Sequence, residues 1–179
     1  MPCTSRMRKR APAVALIVVL PLAAPPLADA AVVASGAGGF ALHHELVFPG
    51  ATARAWQRLV APAQWWSADH TYSGDANNLT LTATPGGCWC ESLPDGGFVR
   101  HLDVVYAAPG RALRLSGGLG PLQGMGAAGA LTFTLKAEGD TTRIVVDYIV
   151  SGYAAAGFEA IAPAVDAVLG QQLAALVRP

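Results

Sequence analysis

The chain has 179 residues, 53% of them hydrophobic and 13% charged, and its formal net charge at pH 7 is zero. This length corresponds to one domain that is large enough to bury a hydrophobic core. The charge balance argues against nucleic acid and anionic membranes as main partners, because both favour a basic protein surface.

The first 30 residues show the three-part pattern of a secretory signal peptide. Basic side chains are concentrated in residues 6–10, the apolar stretch is densest in residues 14–20, and Ala28-Asp29-Ala30 matches a small-x-small cleavage site. Four prolines keep the apolar run below the roughly 20 residues that a membrane-spanning helix needs. We therefore expect an exported, periplasmic protein without a membrane span after cleavage. Cleavage after Ala30 leaves 149 residues with eight basic and eleven acidic side chains, a formal charge of −3.

The mature chain is expected to begin with a flexible lead-in, followed by a strand and a short helix. Residues 31–39 are small and rich in glycine and alanine, whereas residues 40–48 have the character of a strand. Thr52 can cap a helix that continues to about Val60. Two adjacent tryptophans, Trp65-Trp66, follow this helix in a short turn.

Residues 79–150 show the period-two alternation of β-strands, interrupted by turns rich in proline, glycine and aspartate. The segments that we expect to be strands are residues 79–84, 88–91, 98–106, 111–116, 131–135 and 142–150. Together with the first strand they predict an antiparallel sheet of about six to seven strands. Residues 117–129 form a glycine-rich connection within it.

One amphipathic helix closes the chain, from about residue 160 to residue 177. Its apolar residues Ile161, Val165, Leu169, Leu173 and Leu176 share one face, because they are spaced by four, four, four and three residues. A short early helix and a long final helix beside an antiparallel sheet indicate a sheet that curves around the final helix. This α+β arrangement over residues 40–179 predicts a cavity between the sheet and the helix.

Several short motifs occur in a characteristic order along residues 40–177. They are Trp56 with Trp65-Trp66, the turn Pro85-Gly86-Gly87, Gly139 before the last strand, and the final helix. In this order they resemble the START-like superfamily, also called polyketide cyclase/dehydrase-like or Hsp90-ATPase-activator-like proteins, and residues 86–91 and 118–123 resemble an exported bacterial subgroup. The resemblance implies the helix-grip fold and a cavity for lipids, polyketides, plant hormones or aromatic compounds. It implies no shared catalytic motif.

Seven residues are candidates for contacting a ligand in such a cavity. They are Trp66, Cys88, Cys90, His101, Met125, Tyr148 and Leu169. Trp66 offers a ring for stacking, although packing in the core is the alternative. Tyr148 shares the apolar face of the last strand, and Met125 lies in the glycine-rich connection, where it could act as a lid residue.

His101, Asp103 and Glu91 are the candidates for acid–base catalysis. His101 and Asp103 are two residues apart on an expected strand and should share a face, which allows a carboxylate to hold a neutral imidazole. A pair on the protein surface is the alternative. Glu91 should face away from the two neighbouring cysteines on a regular strand.

Cys88 and Cys90 are separated by one residue in a protein that we expect to reach an oxidising compartment. Side chains at this spacing on an extended strand start too far apart for a disulfide, so a bridge requires a local bulge. Packing as free thiols is the alternative. A bare C-x-C sequence supplies too few ligands for a metal site, and we expect neither a metal nor a cofactor.

Three functions remain open at this point. The first is an exported domain, monomeric or weakly dimeric, that binds a small hydrophobic or aromatic molecule. The second is a cyclase, dehydratase or hydrolase that uses acid–base residues in the same cavity, and the third is a protein-interaction module. The sequence contains no GxSxG, P-loop, dinucleotide-binding or HExxH motif, which removes support from the common enzyme classes that carry them.

Overall fold

A computed structural model describes Met1 and residues 31–178, so apart from Met1 the expected signal peptide lies outside the described residues. Within the described part, eight antiparallel strands form one sheet in the order β1-β2-β8-β7-β6-β5-β4-β3. The strands are β1 (Ala31–Gly36), β2 (Gly39–Phe48), β3 (Leu79–Leu81), β4 (Cys88–Ser92), β5 (Phe98–Ala108), β6 (Ala112–Gly117), β7 (Ala128–Glu138) and β8 (Thr141–Ser151). The helices are α1 (Thr52–Leu59), α2 (Pro121–Gly124) and α3 (Ala162–Leu176).

The inner face of the sheet forms the hydrophobic core because apolar side chains alternate along the strands. On β8, Ile144, Val146, Tyr148 and Val150 all point inward and are buried, as the sequence predicted. The final helix α3 lies against β1 and β2, whereas α1 lies against β7 and β8. In the described part of the chain, no helix combines the length and apolar character needed to cross a membrane.

The sheet has one strand more than the sequence predicted, because residues expected to form a flexible lead-in form β1. Val32 pairs with Leu42 and Ser35 pairs with Phe40 across a tight turn between β1 and β2. The short helix α1 therefore follows the second strand rather than the first. Only Val32 and Val33 favour a strand in this segment, and the pairing with β2 supplies the hydrogen bonds that hold β1 in the sheet.

Strand β5 contains an extra residue at His101, and this irregularity determines which side chains face inward. Trp89 of β4 pairs with Leu102, but the next residue, Cys90, pairs with Arg100, so His101 has no partner in the ladder. Such a β-bulge changes the alternation of side chains along the strand. His101 and Leu102 are consequently both buried, while Arg100 and Asp103 are both exposed.

Candidate ligand-binding cavity

A cavity of about 430 Å³ lies between α3, the β3–β5 end of the sheet and two loops. Its wall is mostly apolar. The lining residues are Ala164, Val165, Val168 and Leu169 from α3, Ile161 just before it, Leu79, Trp89 and His101 from the sheet, Trp66, His70, Thr71 and Tyr72 from the loop after α1, and Leu119, Gly120 and Pro121 at the start of α2. The space predicted between the sheet and the final helix is therefore present at this end of the domain.

Three tryptophans form one aromatic cluster at the cavity wall. The ring centroids of Trp66 and Trp89 are 4.9 Å apart with their planes at 82°, and Trp65 is 5.6 Å from each of them. Edge-to-face contacts of this kind add to the energy of apolar burial. Trp65 is buried in the core, whereas Trp66 and Trp89 line the cavity. Packing in the core is confirmed for Trp65, and stacking of Trp66 on a ligand stays a prediction.

Glu91 and His101 form a buried pair at the wall of the cavity. The bulge turns His101 inward, and the inward position of Glu91 on β4 places its Oε2 3.0 Å from Nε2 of His101. The backbone N–H of Ser73 donates a hydrogen bond to the other oxygen of Glu91. His101 lines the cavity, but Glu91 does not.

The surroundings of the pair favour an ionised carboxylate beside a neutral imidazole. Burial alone would raise the pKa of Glu91, but hydrogen bonds from Ser73, the backbone of Tyr72 and His101 outweigh it and hold the pKa below its ordinary value. Burial lowers the pKa of His101, and the attraction of Glu91 offsets only part of this. At neutral pH the Nε2–H of His101 therefore donates to the carboxylate of Glu91.

Three other polar side chains of the cavity wall, those of Trp66, Thr71 and Tyr72, donate hydrogen bonds within the protein. The hydroxyl of Tyr72 donates to the carbonyl of Gly120 at 3.0 Å, and the indole N–H of Trp66 donates to the carbonyl of His70 at 2.9 Å. The hydroxyl of Thr71 donates to the carbonyl of Ala68 at 2.7 Å. These bonds tie the two loops together and leave the imidazole of His101 as the main polar feature of the wall.

Tyr148 supports the cavity from beneath instead of lining it. Its hydroxyl accepts a 3.1 Å hydrogen bond from the backbone N–H of Leu119, which is itself a lining residue. Burial raises the pKa of Tyr148 to about 12, and the Leu119 bond offsets part of the rise. The phenol stays protonated and positions the segment that leads into α2.

Among the remaining ligand candidates, the structure places Trp66, His101 and Leu169 in the cavity wall and three residues elsewhere. Met125 is exposed just after α2. Cys88 and Cys90 flank the inward-facing Trp89 on β4, so they lie on the outer face of the sheet. This differs from the expected thiol facing the cavity, because the alternation along β4 gives the inner face to Trp89 and Glu91.

The two cysteines form a disulfide with a Cα–Cα distance of 5.5 Å. The sequence indicated that a bridge at this spacing requires a local bulge, and the bulge occurs on the neighbouring strand. Cys88 pairs with Asp103 and Cys90 pairs with Arg100. The paired residues are two positions apart on β4 but three positions apart on β5, which shows the extra residue in β5. The bridge thus lies directly behind the part of β5 that turns His101 inward.

Asp103 does not share a face with His101, contrary to the expectation from their spacing. The bulge places Asp103 outside, where its carboxylate accepts a hydrogen bond from Arg100. The partner of His101 is instead Glu91, a contact between neighbouring strands that sequence spacing could not reveal. Tyr72 and Trp89 were also missed. Trp89 carried a usable signal, because it alternates with the two cysteines and must face opposite to them.

A second buried polar pair joins the final helix to the sheet. Nε2 of His44 on β2 lies 2.9 Å from Oδ1 of Asp166 on α3, although the two atoms are not aligned as a hydrogen bond. Burial lowers the pKa of His44, and the charge of Asp166 counteracts it in part. One turn and a half further along α3, Gln172 accepts a 2.7 Å hydrogen bond from the backbone of Ser67. These contacts hold the helix that carries one wall of the cavity.

Comparison with known proteins identifies the fold. No model of a protein family and no curated protein matches the chain. Among solved structures, CalU16 from Micromonospora echinospora matches with a TM-score of 0.52 and 13% identity, over 79% of this chain and 78% of that one. DynU16, from the dynemicin biosynthetic locus, matches with a TM-score of 0.55 and 19% identity, over 77% of this chain and 46% of that one.

A third match, the protein CV1439 from Chromobacterium violaceum, has a TM-score of 0.52 and 16% identity over 78% of this chain and 97% of that one. Likeness at these identities establishes the fold alone. The fold is the START-like helix-grip fold, an α+β architecture with one large antiparallel sheet and a C-terminal helix. Membership of an exported subgroup stays a prediction. No three His, Cys, Asp or Glu side chains within residues 31–178 cluster closely enough to hold a metal ion.

Proposed function

We propose that this domain binds a small hydrophobic or aromatic molecule in the cavity between the sheet and α3, and that the protein is exported. The observation that carries the proposal is the cavity itself. Its volume of about 430 Å³ falls in the range of roughly 300–1,000 Å³ that is typical of small-molecule sites. A mostly apolar wall with a small number of polar groups is also characteristic of such sites.

The wall of the cavity combines aliphatic and aromatic surfaces. Leu169 and its neighbours on α3 supply the aliphatic surface, and Trp66 and Trp89 supply the aromatic surface. A planar ligand in contact with both would be stabilised by about 25 cal/mol for each Å² of apolar area removed from water. Contacts with the indole rings would add a preference for aromatic over aliphatic ligands of equal size.

The binding proposal is tested with the neutral fluorescent dye 1-N-phenylnaphthylamine and two matched variants. Ala164 and Ala167 are both exposed alanines of α3, but only Ala164 lines the cavity. Ala164→Trp should obstruct the cavity and weaken dye binding at least tenfold, whereas Ala167→Trp should change it less than twofold. Lack of dye binding by the unaltered domain, or equal losses in both variants, would refute the proposal.

Acid–base catalysis in the same cavity is a second candidate, favoured by the contact between Glu91 and His101. In this arrangement His101 could act as a base toward a bound molecule while Glu91 orients the imidazole. The test is hydrogen–deuterium exchange at the acidic carbon of 2-tetralone, followed by NMR. Catalysis predicts faster exchange with the unaltered protein than with His101→Phe, and equal rates would remove this candidate.

A further inference from the structure

One nitrogen of a residue that lines the cavity has no hydrogen-bond partner among the described residues. His101 borders both this cavity and a second, neighbouring pocket of about 330 Å³. Nδ1 of His101 forms no hydrogen bond with any residue that the structure describes, and it is not among the atoms closed off from solvent. The indole nitrogen of Trp89 is also unpaired, but it is buried out of reach of the cavity. His70 lines the cavity as well, yet its side chain is exposed to water. Nδ1 of His101 is therefore a largely buried polar atom with no partner in the described part of the chain, and a ligand can engage it.

The chemistry of this nitrogen is fixed by Glu91. An ionised carboxylate can only accept hydrogen bonds, so the 3.0 Å contact with Oε2 requires the proton of His101 to be on Nε2. Burial keeps the imidazole neutral by lowering the pKa of His101. A neutral imidazole with its proton on Nε2 presents a lone pair on Nδ1. The cavity consequently offers a hydrogen-bond acceptor and requires a donor from its ligand.

We propose that the natural ligand is a planar aromatic or enolic alcohol whose hydroxyl group donates a hydrogen bond to Nδ1 of His101. This inference rests on the proposed binding function and adds the chemical class of the ligand. The ring system would lie against Trp66 and Trp89, and the hydroxyl would point toward β5. Ethers and ketones would leave Nδ1 unpaired, and carboxylates would meet both its lone pair and the negative charge of Glu91. Leaving a buried acceptor without a partner weakens binding by about tenfold to a hundredfold.

The test compares three probes of the same ring system: 2-naphthol, 2-methoxynaphthalene and naphthalene. Isothermal titration should show 2-naphthol binding at least tenfold more tightly than 2-methoxynaphthalene. His101→Phe keeps a planar ring but removes the acceptor, and it should abolish this preference while naphthalene still binds. The control is His43→Gln, because His43 also contacts a carboxylate, that of Asp147, but lies on β2 outside the cavity. This control should leave all three affinities within twofold.

Glu91→Gln gives a readout that a purely structural role for the pair would not produce. The amide oxygen would keep the bond from the backbone of Ser73, and its NH₂ group would then donate to Nε2 of His101. The imidazole proton would move to Nδ1 and turn the acceptor into a donor. The preference should therefore invert, with the ketone 2-acetonaphthone binding more tightly than 2-naphthol.

The outcomes separate this inference from the function on which it rests. Equal affinities of the unaltered protein for 2-naphthol and 2-methoxynaphthalene, with naphthalene bound, would overturn the alcohol preference and leave the apolar container intact. Retention of the 2-naphthol preference in Glu91→Gln would contradict the role of Glu91. Failure of every naphthalene probe and of the dye to bind would overturn both proposals.

Discussion

Removing the carboxylate of Asp166 should destabilise the domain by about 2 kcal/mol. Asp166 is 5% exposed, and the imidazole beside it, His44, is 1% exposed, so water cannot replace the lost partner. Nδ1 of His44 already lacks a hydrogen-bond partner among the described residues, and Nε2 would lose its 2.9 Å contact with the carboxylate of Asp166. A buried polar group left unsatisfied costs about 1–3 kcal/mol. For a domain of this size, 2 kcal/mol corresponds to a fall of about 4–8 °C in melting temperature.

The assay is urea unfolding of Asp166→Ala followed by tryptophan fluorescence, with melting temperature as a second measurement. Asp147→Ala is the matched control, because it removes a carboxylate from an exposed histidine, His43, and should cost less than about 1 kcal/mol. The double variant His44→Leu/Asp166→Leu replaces the pair by apolar side chains and should be more stable than Asp166→Ala. An equal loss of unfolding free energy in Asp166→Ala and in the control Asp147→Ala would show that the buried pair does not anchor α3.

Two further predictions concern stability. Burial lowers the pKa of His44 and His101 in the folded state, so below about pH 6.5 the unfolded chain binds more protons and the unfolding free energy should fall from pH 7 to pH 5. The pKa of His43 is raised, so this residue opposes the trend, but its side chain is 39% exposed and water screens its contribution. Urea titrations at pH 7 and pH 5 that give the same unfolding free energy would contradict the prediction. Tyr148→Phe should lower the unfolding free energy by about 1–2 kcal/mol, because the N–H of Leu119 loses its acceptor, and an unchanged urea midpoint would argue against that support.

Strands with strict alternation could be predicted from the sequence, because one face of each had to be buried. The segments of residues 131–135 and 142–150 lie within β7 and β8, where threonines or charged residues alternate with apolar side chains. Strand β1 could not be predicted in the same way. Apart from Val32 and Val33, its residues are small and carry little preference for a strand, and pairing with the edge of β2 holds the segment in the sheet.

Residues of the candidate site could be predicted when their type alone suits a cavity wall. Contacts that depend on the pairing between strands could not be predicted. Trp66 and Leu169 could be selected because a large ring and an apolar helix face are the usual components of a cavity wall. The partner of His101 could not be predicted, because a regular β5 would place Asp103 on the same face and only the bulge separates them. The contact with Glu91 depends on the register between β4 and β5, which no spacing within one strand encodes.

The extra residue in β5 means that the acceptor in the cavity depends on chain length as much as on residue identity. Arg100 and Leu102 already pair with the consecutive residues Cys90 and Trp89 of β4. Deletion of the single codon for His101 would make them consecutive on β5 as well and restore a regular ladder. The imidazole would vanish from the cavity although no other side chain of its wall had been replaced. A one-codon insertion at the corresponding place in another protein with this fold could create such an acceptor just as abruptly. Gains and losses of this acceptor during evolution would therefore appear as insertions or deletions in an alignment of related sequences. A comparison of substituted residues alone would miss them.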